Sequence, residues 1–281
     1  MKTASLVLPP EDAMLNRINI MGDQKCLNFT FGSDFAEIAK VLPPALEPAF
    51  PMVSGYIVYI DNPAFTEPYR EAMLGIYVKY NGQIGLYPMM FLLSGPGAEM
   101  ATLPGRERFG LAKKLCESED CITLERDGNT VRGIAKRKGV TLLDVSLNIG
   151  EYNSPVAANF YAGAAPGAKS GGMSYYLQPV IEPDGQGKDH FAYVNLYSNI
   201  AEYTYKTFEP GRVSVRVQSS ENDAWGQFPV IENIGGAYTE NDLEMKDLFL
   251  VDKLDAGESM PMLLVNRYDL KGLVRGEQLW K

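Results

Sequence analysis

The sequence predicts a mainly β protein, in which antiparallel strands form most of the fold and a few short helices lie at the periphery. Runs rich in β-branched and aromatic residues recur along the chain, and dipeptides typical of turns, such as Asn81-Gly82 and Lys138-Gly139, separate several of them. Helical patterns are confined to a few segments. No clear linker divides the 281 residues, so we predict one domain over residues 1–281.

Strands are predicted where apolar or alternating runs end at turn residues. Asn81-Gly82 joins a strand that ends at Tyr80 to its return strand. Clean alternation over residues 213–217 indicates that one face of that strand is solvated. The predicted strands span residues 56–60, 74–80, 84–93, 121–124, 131–134, 140–147, 173–181, 191–197, 201–208 and 213–217.

Helix signals occur in three places. Asp34 is a suitable N-cap for the first helix, with Glu37 at the capping-box position, and Pro43-Pro44 ends it. A short helix is predicted within residues 106–116, and another in the segment 242–253.

Composition excludes several classes of function. The net charge is −9, and the sequence has no basic tract that could neutralise phosphates. Both observations argue against a nucleic-acid partner. No apolar run reaches membrane-spanning length, so we expect no membrane association and a cytoplasmic location. Three cysteines and one histidine, His190, form neither a disulfide framework nor a metal-ligand pattern. The Gly/Ala-rich stretch 162–172 is predicted to be a mobile loop over a site.

Two adjacent lysines are the first candidates for chemistry. Lys113 and Lys114 follow the apolar stretch Gly110-Leu111-Ala112. A lysine amine attacks a carbonyl only when it is neutral, and both burial and a neighbouring cation favour the neutral form. The pair is therefore a candidate for Schiff-base chemistry, although Lys-Lys pairs are also common on protein surfaces.

The lysine segment resembles that of the acetoacetate decarboxylase family, and the resemblance extends over most of the chain. Residues 105–115 are similar to the family's lysine segment, 41–47 to its Val-Pro-x-Pro-Leu-Glu turn, and 68–71 to its Tyr-x-Glu segment. The hairpin 80–82 and the strand 85–90 resemble its Asn-Gly hairpin and Met-Met strand, in the same order. The resemblance implies an antiparallel β-barrel or cone, a homo-oligomer, and lysine-imine chemistry that needs no metal or other cofactor.

The resemblance also assigns catalytic positions. Lys113 falls on the family's Schiff-base lysine, and Lys114 falls on the cationic neighbour that perturbs the pKa of the family's reactive amine. Glu71 falls on one of two active-site glutamates, where it would transfer a proton or orient the carbinolamine. The alternative for Glu71 is a structural ion pair with a nearby arginine. Ala112 departs from the family's usual proline.

Pocket positions follow in the same way, with two departures. Tyr56 stands where the family has its other glutamate, and Gln24 (or Lys25) stands where it has an arginine. These departures bear on the substrate, because an anionic keto acid requires a cation. The predicted pocket contains Tyr56, Gln24, Met89, Met90 and Arg106, with core packing as the alternative for the methionines and a structural salt bridge with Glu107 as the alternative for the arginine.

The functional prediction is a lyase that acts on a small-molecule keto acid through an imine of Lys113, by decarboxylation of a β-keto acid or a related reaction. The first alternative is an aldolase-dehydratase that condenses a pyruvate-like enamine with an aldehyde. The second is a non-catalytic barrel that binds an apolar ligand, and a weaker third is a pure assembly subunit.

Overall fold

The structure is a computed structural model that describes residues 20–161 and 163–269. Strands dominate this part of the chain, and four α-helices lie between them. The strands are β1 Ile20–Gly32, β2 Glu47–Pro63, β3 Tyr69–Tyr80, β4 Gln83–Ser94, β5 Lys113–Leu115, β6 Ile122–Asp127, β7 Thr130–Arg137, β8 Val140–Ile149, β9 Lys169–Pro183, β10 Asp189–Val217 and β11 Glu232–Asp255. The helices are α1 Phe35–Lys40, α2 Ala98–Glu107, α3 Pro155–Phe160 and α4 Ala256–Arg267.

Seven strands close on themselves. β11, β1, β2, β3, β4, β9 and β10 are hydrogen-bonded in that order, and β10 pairs back onto β11. The pairs are antiparallel except for β4 with β9 and β4 with the short β5. From β10 the sheet continues through β8, β7 and β6. The fold is therefore the closed antiparallel arrangement that the sequence predicts, with an additional group of strands outside the ring.

The main apolar core lies between the ring and the outer strands β6–β8. Side chains of a strand alternate between its two faces, and Leu27 of β1 and Ile57 of β2 are completely buried on the outer face of the ring. Gly133 of β7 allows the outer layer to approach closely, because a Cβ atom there would lie 2.7 Å from Ile57 Cδ1. The opposite face of β1 and β2 is left to line the inside of the ring.

Local signals placed several elements correctly. Asn81 and Gly82 form the predicted hairpin turn with φ angles of 48° and 78°, the left-handed values that a two-residue turn of this kind requires. Lys138 and Gly139 repeat the geometry with φ angles of 49° and 77°. The side chain of Asp34 caps α1 by accepting hydrogen bonds from the backbone N–H groups of residues 36 and 37.

Two predicted helices are wrong. The segment 242–253 lies within β11, because pairing with β10 along most of its length overrides the local helical pattern. The helix predicted within 106–116 is instead the end of α2, a loop and β5. Gly110 has a φ of +69°, which is incompatible with a helix, and Ala112 O accepts a hydrogen bond from Phe91 N of β4.

Other differences concern strand length. The predicted strands 191–197, 201–208 and 213–217 are parts of the single strand β10, whose register shifts absorb the irregular spacing. β1 and the first half of β11 were not predicted. Residues 169–172 of the Gly/Ala-rich stretch begin β9, and Ala162 lies outside the described residues. In the part of the chain that the structure describes, no helix is both long and apolar enough to cross a bilayer.

Candidate active site

The ring encloses a cavity of about 390 Å³. Its wall consists of the inward side chains of the ring strands, together with residues of β5 and of two loops. Most of the lining is apolar or aromatic, as in pockets that bind organic ligands. Among the described residues that line the cavity, Lys113 and Glu71 are the charged ones.

Lys113 and Glu71 meet at the wall of this cavity. The Lys113 Nζ atom lies 2.9 Å from Glu71 Oε2, and both residues are buried, with 6% and 5% of their surfaces exposed. Tyr56 donates a hydrogen bond of 2.6 Å to the other carboxylate oxygen, Oε1. Lys113 Nζ also lies 3.4 Å from the carbonyl oxygen of Ala101. The site thus holds an amine, a carboxylate and a phenol in contact, away from bulk water.

Burial also determines the protonation state of Tyr56. Removal from water raises the pKa of the Tyr56 phenol well above its usual value, and the nearby negative charge of Glu71 raises it further. Tyr56 is therefore protonated at neutral pH and acts as a hydrogen-bond donor to the carboxylate. Its hydrogen bond leaves Glu71 Oε2 directed at the lysine amine.

The lysine is positioned by β4 and α2. β5 runs parallel to β4, with Lys113 paired with Phe91, whose ring centroid lies 5.6 Å from Lys113 Nζ. Gly105 of α2 lies against the lysine side chain, because a Cβ atom at this position would be 2.8 Å from Lys113 Cδ and Cε. The positive φ of Gly110 lets the intervening loop pass close to β9.

Lys114 lies on the opposite face of β5, as expected for consecutive residues of a strand. Its Nζ atom donates to Asn222 O at 2.6 Å and lies 3.1 Å from Asp223 Oδ1. Lys114 does not line the cavity. The effect of its charge on the amine of Lys113 stays a prediction. The alternation of side chains along a strand separates two lysines that adjoin in sequence.

Two of the five predicted pocket residues line the cavity. Tyr56 and Gln24 do so, and Gln24 is buried at 5% exposure. Lys25, the alternative to Gln24, is directed outward and pairs with Asp61 at 2.8 Å. Of these two neighbours, Gln24 is therefore the one whose side chain faces the inside of the ring.

Met89, Met90 and Arg106 do not line the cavity, which corrects their prediction as pocket residues. Leu74 pairs with Met90 and Gly75 pairs with Pro88, so Met89 is an extra residue at a β-bulge. Both methionines pack in the main core. The Arg106 guanidinium lies outside the cavity, 5.1 Å from the centroid of the Tyr268 ring. A bulge of this kind leaves no reliable mark in a single sequence.

Sequence reasoning missed a row of polar residues on β1 and β11. Asn28, Thr239 and Asn241 line the cavity and are joined by hydrogen bonds, with Gln24 beside them. Alternation of polar with apolar residues over 27–31 was the available signal in β1, but the polar side chains face the inside of a ring rather than solvent.

Comparisons with known proteins agree with this architecture. The model of the acetoacetate decarboxylase family matches residues 5–254. A CLA biosynthesis isomerase from Lactiplantibacillus plantarum is 34% identical over 252 residues, which cover 89% of each chain.

Solved structures support the fold. An acetoacetate decarboxylase from Legionella pneumophila has a TM-score of 0.67 at 16% identity, covering 83% of this chain and 87% of that chain. An acetoacetate decarboxylase-like enzyme from Sphingomonas wittichii has a TM-score of 0.66 at 17% identity, covering 90% and 100%. The enduracididine biosynthesis enzyme MppR, solved with a condensation product of pyruvate and imidazole 4-carboxaldehyde, has a TM-score of 0.63 at 14% identity, covering 88% and 95%. At these identities the likeness concerns the fold alone, whereas the family match extends over most of the sequence: the chain belongs to the acetoacetate decarboxylase family.

Proposed function

We propose that Lys113 forms an imine with the carbonyl carbon of a largely apolar ketone, and that Glu71 then moves a proton between carbons near that imine. The observation that carries this proposal is the buried contact of 2.9 Å between Lys113 Nζ and Glu71 Oε2 at the cavity wall. The carboxylate is close enough to accept the proton that the amine must lose before it attacks a carbonyl.

The reaction proceeds in balanced steps. The neutral amine adds to the ketone, and loss of one water molecule gives a protonated imine. The cationic nitrogen makes the adjacent carbon acidic, so Glu71 removes a proton and an enamine forms. When the substrate carries a β,γ double bond, return of the proton to the γ carbon moves that double bond into conjugation. Hydrolysis then releases an α,β-unsaturated ketone and restores the lysine, with no net oxidation or reduction.

The charges of the cavity favour this isomerisation over reaction of a free keto acid. A substrate carboxylate would require a cation besides the imine nitrogen. Gln24 is neutral at the position where the family resemblance places an arginine, and no other cation lines the cavity among the described residues. The 34% identity to a CLA biosynthesis isomerase points to the same class of reaction.

Decarboxylation of a β-keto acid is the second candidate, and the family match favours it. Loss of CO2 from the imine leaves the same enamine, which is then protonated and hydrolysed. The lyase reaction predicted from sequence and the isomerisation therefore use one electron sink and differ in the group that leaves the adjacent carbon. The aldol-dehydration alternative draws only on a shared fold, through the MppR complex.

Borohydride trapping tests the proposal. The protein is incubated with a long-chain β,γ-unsaturated ketone, acetoacetate or pyruvate, then reduced and digested, and the modified peptide is identified by mass spectrometry. We expect an adduct on Lys113 and formation of the conjugated ketone, followed by its ultraviolet absorbance. Lys113→Arg removes the nucleophile and should abolish both signals, whereas Lys25→Arg changes an exposed lysine on the outer face of β1 and should retain them.

The outcomes separate the candidates. An adduct with acetoacetate and release of CO2, without isomerisation of the unsaturated ketone, would establish the decarboxylase. Absence of an adduct on Lys113 with all three compounds contradicts imine chemistry and favours a barrel that only binds its ligand.

A further inference from the structure

A row of uncharged polar side chains lines the cavity on the β1–β11 side of the ring. Gln24, Asn28, Thr239 and Asn241 all contribute to the cavity wall. Thr239 and Asn241 are almost completely enclosed, with 1% and 2% of their surfaces exposed. The mechanism proposed for Lys113 and Glu71 uses none of these groups, although polar groups in such an environment are costly unless they are paired.

The hydrogen bonds within this row leave one buried amide atom without a partner. Asn28 Nδ2 donates to Thr239 Oγ1 at 3.1 Å, and Asn241 Nδ2 donates to the same oxygen at 3.0 Å. Thr239 Oγ1 accepts both bonds with its two lone pairs, so its own proton serves a further acceptor. Cys26 Sγ is hydrogen-bonded to Thr239 but is a weak acceptor, which a ligand oxygen can replace. Asn241 Oδ1 is buried and accepts no hydrogen bond within the described part of the chain. If the Asn241 amide is reversed, Thr239 donates to its oxygen and the amide nitrogen becomes the atom without a partner. The unpaired group is then a donor, which a ligand hydroxyl also satisfies by accepting.

We propose that Thr239 and Asn241 bind a hydroxyl group of the substrate. The threonine hydroxyl donates to the ligand oxygen, and the ligand hydroxyl donates to Asn241 Oδ1. A hydroxyl supplies both an acceptor and a donor, as this arrangement requires, whereas a carboxylate supplies acceptors only and would meet no cation here. Gln24 is the partner of Asn241 across the β1–β11 ladder and lines the cavity beside it.

The position of this hydroxyl site defines a substrate class. In the ring, β11 is separated from β4 by β1–β3 in one direction and by β9 and β10 in the other, whereas β5 and Lys113 adjoin β4. The hydroxyl site and the amine are therefore on different sides of the cavity. Given the proposed function for Lys113, the substrate is a hydroxylated oxo compound with an apolar body, held at its carbonyl and at its hydroxyl.

Matched ligands test the hydroxyl site separately from catalysis. A series of β,γ-unsaturated ketones of one chain length, each with a hydroxyl at a different carbon, is compared with the deoxy parent. A parallel series of diols and mono-alcohols lacks the carbonyl. Dissociation constants are measured by titration calorimetry, and imine formation is measured by borohydride trapping. We expect at least one hydroxyl position in each series to bind about tenfold tighter than its deoxy partner, the gain typical of one hydrogen bond.

Two variants and a control locate the effect. Asn241→Leu and Thr239→Val should each reduce the ratio of the two dissociation constants toward one. Asn195→Leu is the matched control. Asn195 is also buried, and its Oδ1 has no partner within the described residues, but it does not line the cavity. This variant should keep the preference for the hydroxylated ligand. Thr239→Val is nearly isosteric and provides the test if Asn241→Leu does not fold.

Equal affinities at every hydroxyl position, or a preference that survives both cavity variants, would overturn the hydroxyl site. A preference for the hydroxyl without any trapped imine would support the site and contradict the proposed function of Lys113.

Discussion

Lys113 and Lys114 are adjacent and equally buried, at 6% and 7% exposure, but they occupy different chemical environments. Among the described residues, Lys113 has one carboxylate partner, Glu71, and it faces a cavity large enough for a ligand. Lys114 faces a packed cluster that contains Asp223, Asp269 and Arg137. Burial alone therefore does not make a lysine available for chemistry. Access to the cavity and the number of anions around the amine distinguish the two.

The second environment buries the Lys114 amine against carboxylates. Burial lowers the pKa of Lys114, while the negative charge of Asp223 and its hydrogen bond oppose that shift. Asp223 also accepts hydrogen bonds from Arg137 at 3.0 and 3.2 Å. These ion pairs tie β5 to β7, the loop around residue 223 and the segment after α4, so we infer that Lys114 stabilises the strand on which Lys113 is presented.

Catalysis at Lys113 should respond most strongly to a change at Glu71. Glu71→Gln keeps the shape of the side chain but removes the base, so we expect turnover of the unsaturated ketone to fall by about 10²–10⁴-fold. Imine trapping on Lys113 should still occur, at a lower rate. Single-turnover absorbance measurements and trapping of the same sample separate the two steps. Turnover at the wild-type rate would show that Glu71 only orients the lysine.

Lys114→Met tests the other face. It leaves Asp223 paired with Arg137, so we expect the free energy of unfolding to fall by about 1–3 kcal/mol, the typical loss when a buried charged group loses one partner. Urea denaturation measures this loss, and imine trapping on Lys113 should persist in the folded variant. Loss of trapping in a variant that is fully folded would mean that the charge of Lys114 acts on the reactive amine after all.

Asp269→Asn weakens the same cluster in a pH-dependent way. Burial tends to raise the pKa of Asp269, but hydrogen bonds from Arg137 and Lys138 outweigh it and hold the pKa below its usual 3.8. A carboxyl group whose pKa is depressed on folding stabilises the protein above its unfolded pKa, and the contribution disappears as the pH falls through the folded pKa. Near neutral pH, we expect the free energy of unfolding of the wild type to be about 1 kcal/mol larger than that of the variant. This difference should shrink below about pH 4. If the difference in free energy of unfolding did not change with pH, the stabilisation would not come from the depressed pKa of Asp269.

Gly105→Ala should have the smallest effect. The new methyl group would lie 2.8 Å from Lys113 Cδ and Cε, so the end of the lysine side chain must shift. We expect trapping to slow several-fold, while the free energy of unfolding changes by less than about 1 kcal/mol, because alanine also favours the helix. Met100→Ala, at an exposed position of α2, is a helix control that adds no atoms next to the lysine. Equal trapping rates in Gly105→Ala and wild type would show that the amine tolerates displacement.

Local sequence was sufficient for much of the fold. Turns such as Asn81-Gly82 require left-handed backbone angles, and the cap at Asp34 requires a short acceptor, so both are marked by residue type. The pairing of β11 with β10 was beyond such reasoning, because its partners lie far away in the chain and outweigh local propensity. The bulge at Met89 likewise depends on how β3 and β4 align.

The β class, the family resemblance and the candidate residues Lys113 and Glu71 could be read from the sequence, since motif order and residue chemistry are local properties. Tertiary structure alone decided which side chains face the cavity. It put Lys113 against Glu71 and Tyr56, directed Lys114 away, moved Met89 and Met90 into the core, and brought Asn241 beside Gln24. Side chains alternate along a strand, so strand register and a single bulge determine which residues meet inside a closed ring.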